Sequence, residues 1–374
     1  MSLYFRLFAL LIFFFLLALL GSYLYKCLLP IFPTKGVVKT VFTLGYVLLW
    51  VIFFAGLFLE QLLPPALGGT LAFIGYSFLL VVMYLLLTFV VVDILLLVLK
   101  LVHVPFNPLG IRRAITVVSL LVIGVAMTIG YIRFNHPVVQ HLELTVNKPL
   151  KNKHITLVFA SDIHLGNSIG KQRLQRYVAL INQQKPDLIL LGGDLTDRSL
   201  GPLTEQNLHE ELSQLKATMG IYAVLGNHEF YSGHPDALAS YFENAGIRVL
   251  RDQVVLIDSS LYLIGREDRT SKKRLPLKRL MEGLDPNRPS IVLDHQPFQL
   301  EEASDLNCDL QLSGHTHNGQ VFPANLLVKW MFENPYGYLL KHKTHVYVSS
   351  GLGIWGPLYR IGTQSEVVTI RLHY

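Results

Sequence analysis

The stretch HITLVFASDIH, residues 154–164, decides how this chain is read. An apolar run at 155–160 reads as a buried strand, and it ends abruptly on the polar cluster Ser161-Asp162-Ile163-His164. The same order recurs downstream. Apolar runs at 188–191, 221–225, 291–293 and 310–312 lead into Gly193-Asp194, Gly226-Asn227-His228-Glu229, His295 and Gly314-His315-Thr316-His317. Further strands are expected at 346–348 and 367–372. Between the first two strands, Leu174, Val178 and Ile181 recur at helical spacing and Pro186-Asp187 breaks the helix, which makes a βαβ unit. Ligands of open α/β sheets gather beyond the carboxyl ends of the strands, where all five polar clusters fall. Asp162, His164, Asp194, Asn227, His295, His315 and His317 supply oxygen and nitrogen donors suited to divalent metals. His228 is left over for proton transfer, and two metals sharing one site is the economical explanation.

Upstream the composition changes. Residues 1–134 hold only ten charged side chains: Arg6, Lys26, Lys35, Lys39, Glu60, Asp93, Lys100, Arg112, Arg113 and Arg133. Apolar stretches of about 20 residues can cross a bilayer as helices, and four are expected, at 3–25, 37–59, 70–99 and 112–132. The first is too long for a removable leader and is followed by more spans. Removing these eight bases and two acids from the 32 and 26 of the whole chain leaves 24 of each, so the formal +6 resides in the apolar region. The remainder lacks the basic excess that nucleic-acid binding requires. Lys26, Lys35 and Lys39 in one loop, and Lys100, Arg112 and Arg113 in another, lie on the same side of the membrane. By the positive-inside rule both termini, and the domain, are then extracytoplasmic, although Lys148, Lys151 and Lys153 narrow the bias. The third span has length to spare, so a shift toward its N-terminal end puts Asp93 at the interface.

Residues 135–153, bracketed by Pro137 and Pro149, read as a polar linker, and 154–374 as one α/β domain with a sizeable core. The two cysteines, Cys27 and Cys308, suggest neither a disulfide nor a thiolate metal site. The basic segment 266–279 reads as a solvated loop, the alternative being a surface that draws anionic lipid headgroups or phosphorylated substrates. The aromatic residues Trp330, Phe332, Tyr336 and Tyr338 fit core packing and lipid contact equally well. Asp197 and Asp294 are read as residues that orient ligands or cap turns, and Glu229 as structural.

With these clusters in view, the chain resembles the calcineurin-like metallophosphoesterases: DIH at 162–164, GD at 193–194, GNHE at 226–229, His295 and GHTH at 314–317. The resemblance runs from 154 to about 372. Its ending SSGLGIWGP, at 349–357, is similar to that of a bacterial membrane-linked branch of predicted phosphohydrolases, with Asn318 departing from the glycine often found there. The resemblance implies a four-layer α/β/β/α sandwich and a bacterial cell membrane. It also implies two divalent ions of Mn, Fe or Zn type, one held by Asp162, His164 and His317, the other by Asn227, His295 and His315, with Asp194 bridging. Water activated by both ions would attack a phosphate ester directly, and His228 would protonate the leaving oxygen or bind the transition state. The expected partners are the lipid bilayer and a small phosphorylated or lipid-linked substrate. Rival readings are a general phosphodiesterase or nuclease, which the neutral domain disfavours, and a non-catalytic sensor or scaffold, which the intact donor set disfavours.

Overall fold

The computed structural model describes residues 3–32, 36–151 and 154–373; Lys35 and Lys153, counted above toward topology, lie outside them. The chain divides into two compact units, Met1–Thr128 and Ile129–Tyr374. In the first run the helices α1 (Leu3–Leu28), α2 (Val37–Leu59), α3 (Pro65–Leu101) and α4 (Pro108–Asn135), the last of which ends inside the second unit. All four are long and apolar enough to cross a membrane. α2 and α3 approach closely at Gly75, where an added Cβ would lie 2.7 Å from the Cα of Phe53. Small residues at such crossings are how helices pack in lipid. Asp93 on α3 forms an ion pair with Arg112 and accepts the Tyr23 hydroxyl at 2.6 Å, so its charge is compensated within the unit.

The second unit continues with β1 (Val138–Thr145), β2 (His154–Ala160), α5 (Lys171–Gln183), β3 (Leu188–Gly192), α6 (Gly201–Glu205), α7 (Leu208–Leu212) and β4 (Ile221–Val224). Next come α8 (Asn227–Tyr231), α9 (Pro235–Asn244), β5 (Arg248–Val249), β6 (Gln253–Ile257), β7 (Leu261–Gly265), α10 (Leu277–Met281) and β8 (Ser290–Leu293). It closes with α11 (Glu301–Asp305), β9 (Leu310–Ser313), α12 (Ala324–Met331), β10 (Gly337–Lys341), β11 (Thr344–Val348) and β12 (Glu366–His373). Two six-stranded mixed sheets result, ordered β1-β12-β2-β3-β4-β5 and β10-β11-β9-β8-β7-β6.

Successive side chains of a strand point to opposite faces, and both faces of these strands are apolar. Leu263 and Ile291 join Leu157, Phe159 and Leu190 in the core between the sheets, while their neighbours Ile264 and Val292 pack with Leu277 and Ala303 of α10 and α11. α5 buries Leu174, Tyr177, Val178 and Ile181, the helical stripe legible in the sequence. The architecture is the expected α/β/β/α sandwich. In each sheet the central strands β2-β3-β4 and β7-β8-β9 run parallel, so the segments after β2, β3, β4, β8 and β9 leave from carboxyl ends.

One expectation needs correcting. The expected linker holds a strand, because Val138–Thr145 forms β1, paired in parallel along β12 from Val138↔Glu366 to Thr145↔His373. Leu142, Leu144 and Val146 face the core while His141, Glu143 and Thr145 alternate with them. That period of two outweighs overall polarity as a signal for an edge strand. The end of α4 is also bonded into the domain. Phe134 is fully buried beneath the Arg173 guanidinium, 4.1 Å away, and Gly130 O accepts the Arg360 amide at 2.9 Å. Gln364 Nε2 donates to the carbonyls of Arg133 and His136 at 2.9 and 2.8 Å.

Removing a buried ring of this size costs about 3–5 kcal/mol. Phe134→Ala is therefore expected to lower the guanidinium denaturation midpoint of the domain markedly. The exposed Ile132→Ala should shift stability by no more than about 0.5 kcal/mol.

Candidate metal centre

Five of the seven expected ligands have left-handed backbone: Asp162 (φ 55°), His164 (53°), Asp194 (50°), His315 (72°) and His317 (49°). Such conformations cost energy in non-glycine residues, are tolerated best by Asn, Asp and His, and cluster at functional sites. Here they turn the chain sharply just beyond β2, β3 and β9. Asn227 opens α8 after β4, and His295 follows β8 by two residues.

These turns bring the donors together. Asp162, His164 and His317 form one group whose ligand atoms lie within 4.8 Å of one another, and Asp194, His295 and His315 form another. Asn227 joins the second, its Oδ1 lying 3.2 Å from His295 Nε2. Asp194 stands between the two groups: its Oδ2 is 3.1 Å from His295 Nε2 and 3.9 Å from His164 Nε2. A third group, His164, Asp194 and His228, meets the same criterion, so geometry alone lets His228 ligate as well.

The donor set fits cations. His295 Nδ1 donates to Gly192 O at 2.8 Å, and its Nε2 faces two acceptor oxygens, Asn227 Oδ1 at 3.2 Å and Asp194 Oδ2 at 3.1 Å, so a positive charge, a proton or a metal ion, belongs between them. The Nε2 atoms of His164 and His317 face each other at 3.1 Å, and the Nδ1 atoms of both are buried without a hydrogen-bond partner. Nitrogen and oxygen donors converging in this way could hold divalent metal ions among them.

The electrostatics agree. Burial holds His164 and His317 well below the usual histidine range and pushes His315 down to about 4, with His295 adding to the effect on His315. These imidazoles are therefore neutral, the form that binds metal. Burial works against the charge on Asp194, but His295, His164 and His228 together outweigh it and keep this carboxyl ionised far below the usual range. Burial also opposes charge on His295, yet Asp194 prevails and raises it well above the usual value. Asp162 is pushed up to about 6 by burial, with His295 opposing and Asp194 reinforcing.

A surrounding layer of bonds fixes these groups. Buried Glu229 accepts the amides of Asp194 (3.1 Å), Thr196 (2.8 Å) and Gly226 (2.7 Å), clamping the β3 and β4 loops together, in keeping with its expected structural role. Asp162 accepts the Ser161 hydroxyl at 2.5 Å and the His315 amide at 2.9 Å. His228 donates its amide to Asp194 Oδ1 at 2.9 Å and Nδ1–H to the Asp197 carbonyl at 2.5 Å, so its Nε2 is the atom free for chemistry. The Asp197 carboxylate lies 3.8 Å from His164 Nδ1, behind that ring.

The solvated-loop reading of 266–279 fails over much of the segment, since Arg266, Glu267, Asp268 and Leu277 are buried. Arg266 and Arg274 both pair with buried Asp294, at 3.2 and 2.5 Å, because the residue preceding His295 carries a charge that must be compensated away from water. Lys272, Lys273, Lys278 and Arg279 are exposed as expected. The aromatic stretch divides too: Phe332 is buried, Tyr336 donates to Glu366 at 3.0 Å, and Trp330 and Tyr338 are exposed. Arg360 escaped the sequence reading altogether. Fully buried, it donates to the carbonyls of His317 (2.9 Å), Gly351 (3.0 Å) and Gly353 (2.6 Å). No local pattern announces a side chain whose partners are backbone oxygens.

Residues 155–319 match the calcineurin-like phosphoesterase family. Over 70% of its length the chain is 34% identical to an uncharacterized metallophosphoesterase of Campylobacter jejuni, covering 71% of that protein. It is 32% identical over 69% of its length to a transmembrane protein with metallophosphoesterase domain of Danio rerio, of which it spans 62%, less than two thirds. An uncharacterized metallophosphoesterase of Aquifex aeolicus is 31% identical over 63% of this chain and is covered to 91%.

The tightness of the loops makes a prediction. A Cβ on Gly314 would lie 2.7 Å from the Cβ of Ser161 and would crowd the Asp162 carboxylate. Gly314→Ala should weaken Mn²⁺ binding about 10- to 100-fold in titration calorimetry. Gly201→Ala, where nothing lies within 4 Å, should leave binding unchanged.

Proposed function

We propose, from the premise that this chain belongs to the calcineurin-like metallophosphoesterase family, that it is a membrane-anchored hydrolase of phosphate esters working with two divalent ions of Mn, Fe or Zn type. The observation that carries this reading is the place of Asp194, between a donor group built on Asp162, His164 and His317 and another built on Asn227, His295 and His315. When bound, such ions acidify water for in-line attack and neutralise charge on the phosphoryl oxygens.

The protein's own residues supply the rest. Two buried carboxylates, Asp162 and Asp194, are few enough to leave the loaded site attractive to a phosphate anion, since the neutral imidazoles add no charge. The Asp197 carbonyl fixes the tautomer of His228 and presents Nε2 at the site edge, the atom that would hold or deliver a proton to the leaving oxygen. Four apolar helices would anchor the enzyme, with the domain on the extracytoplasmic side as the loop charges imply. The bilayer and a small phosphorylated or lipid-linked substrate are its proposed partners.

The Mn²⁺-loaded chain should hydrolyse p-nitrophenyl phosphate or its diester, lose that activity to a chelator and regain it with Mn²⁺. Asp194→Asn should lower the rate by about 10²-fold or more; equal rates in wild type and variant would defeat the hydrolase reading. His228→Gln should lower kcat about 10²- to 10⁴-fold with bound Mn²⁺ per chain unchanged. Loss of an ion instead would make His228 a ligand.

A further inference from the structure

We infer that α12 lies on the bilayer that holds α4, so that the metal centre opens onto lipid headgroups and its substrate is a phosphoester of a membrane lipid. The substrate half rests on the hydrolase reading above; the membrane contact does not.

The position of α12 is set by the end of α4. Gly130 lies five residues before the helix ends at Asn135, about 7.5 Å back along a segment apolar enough to span a membrane. There Gly130 O accepts the Arg360 amide, and Ile361 packs so closely that a Cβ on Gly130 would meet its Cγ1 at 2.7 Å. Ile361 O in turn accepts the Phe322 amide at 2.8 Å, and Val321 and Ile361 form a parallel bridge. The segment that starts α12 is thus bonded to a loop that reaches back along the span.

The free side of α12 is an unusual surface to leave in water. Within its eight residues, Leu326, Leu327, Trp330 and Met331 are exposed, Trp330 to 85%, with Phe322 exposed just before them. Lys329 is exposed among them, a side chain long enough to keep its ammonium at the headgroups. A short helix with Trp, Leu and Met on its free side and a lysine at the edge has the composition of one lying in the membrane interface.

The same elements border the chemistry. Arg360, whose amide holds α4, holds the His317 carbonyl with its guanidinium. Phe332, immediately after α12, stands 6.0 Å from the His315 ring. Exposed Trp355 and Tyr231 flank His228 at 6.2 and 5.8 Å. An apolar rim beside a phosphate-attracting centre suits a substrate whose chains stay in lipid while its phosphate reaches the donors.

The test uses the full chain in phosphatidylcholine liposomes, spin-labelled through Met331→Cys or, for reference, Lys216→Cys. Native Cys27 and Cys308 are both buried. The label at 331 should be relaxed more by oxygen than by a water-soluble nickel chelate, with the reverse at 216. Water-like accessibility at 331, or shielding from both reagents as in contact with a second copy, overturns the membrane contact. For the substrate half, the turnover of phosphatidic acid or phosphatidylglycerol in vesicles is divided by that of p-nitrophenyl phosphate. The Leu326→Gln, Leu327→Gln, Trp330→Gln triple variant should lower that ratio about 10-fold. An unchanged ratio, or soluble-ester turnover with neither lipid attacked, overturns the lipid assignment. Wild-type protein that attacks nothing would sink the hydrolase reading, and the lipid assignment with it, while leaving the label result to stand.

Discussion

A carboxylate almost out of reach of water, set between the imidazoles of His164 and His295, is the constraint around which this domain is organised. An isolated buried charge costs several kcal/mol. Asp194 offsets that cost with the His228 amide and with the positive charge its neighbours can carry or hold. In the proposed metal-loaded state that charge is ionic rather than protonic, and the neutral forms of His164, His315 and His317 become an asset. The same burial that disfavours charge in the metal-free site would favour cations within it.

The constraint spreads outward through backbone. Donors can meet only if several strand ends turn sharply, which accounts for the left-handed residues after β2, β3 and β9 and for the close packing at Gly314. Strained turns persist only where the surroundings over-determine them. Glu229 and Arg360 do so from opposite chemistries, one gathering amides and the other carbonyls, and neither has to touch a substrate. Through its own amide Arg360 also ties this framework to the last turns of α4.

Much of this was legible in the sequence, for identifiable reasons. A buried parallel strand is a short apolar run, so a polar cluster that ends it is located on a strand tip without any three-dimensional knowledge. All seven candidate donors and His228 were found by that rule, and they do converge in space. The four long helices were legible because length and apolarity suffice. What stayed hidden depended on pairing. β1 looked like a linker because an edge strand alternates and carries Glu143 and His141. Arg266 and Arg274 looked like surface charge because their partner Asp294 lies far along the chain. Arg360 was invisible because carbonyls leave no mark on a sequence.

In the proposed enzyme two cations share Asp194. Electron paramagnetic resonance of the Mn²⁺-saturated chain tests this most directly, because ions about 3.5–4 Å apart are coupled through a bridging group. A multiline spectrum from an exchange-coupled pair is expected as the second equivalent binds. Only the six-line signal of isolated Mn²⁺ at saturation would contradict it.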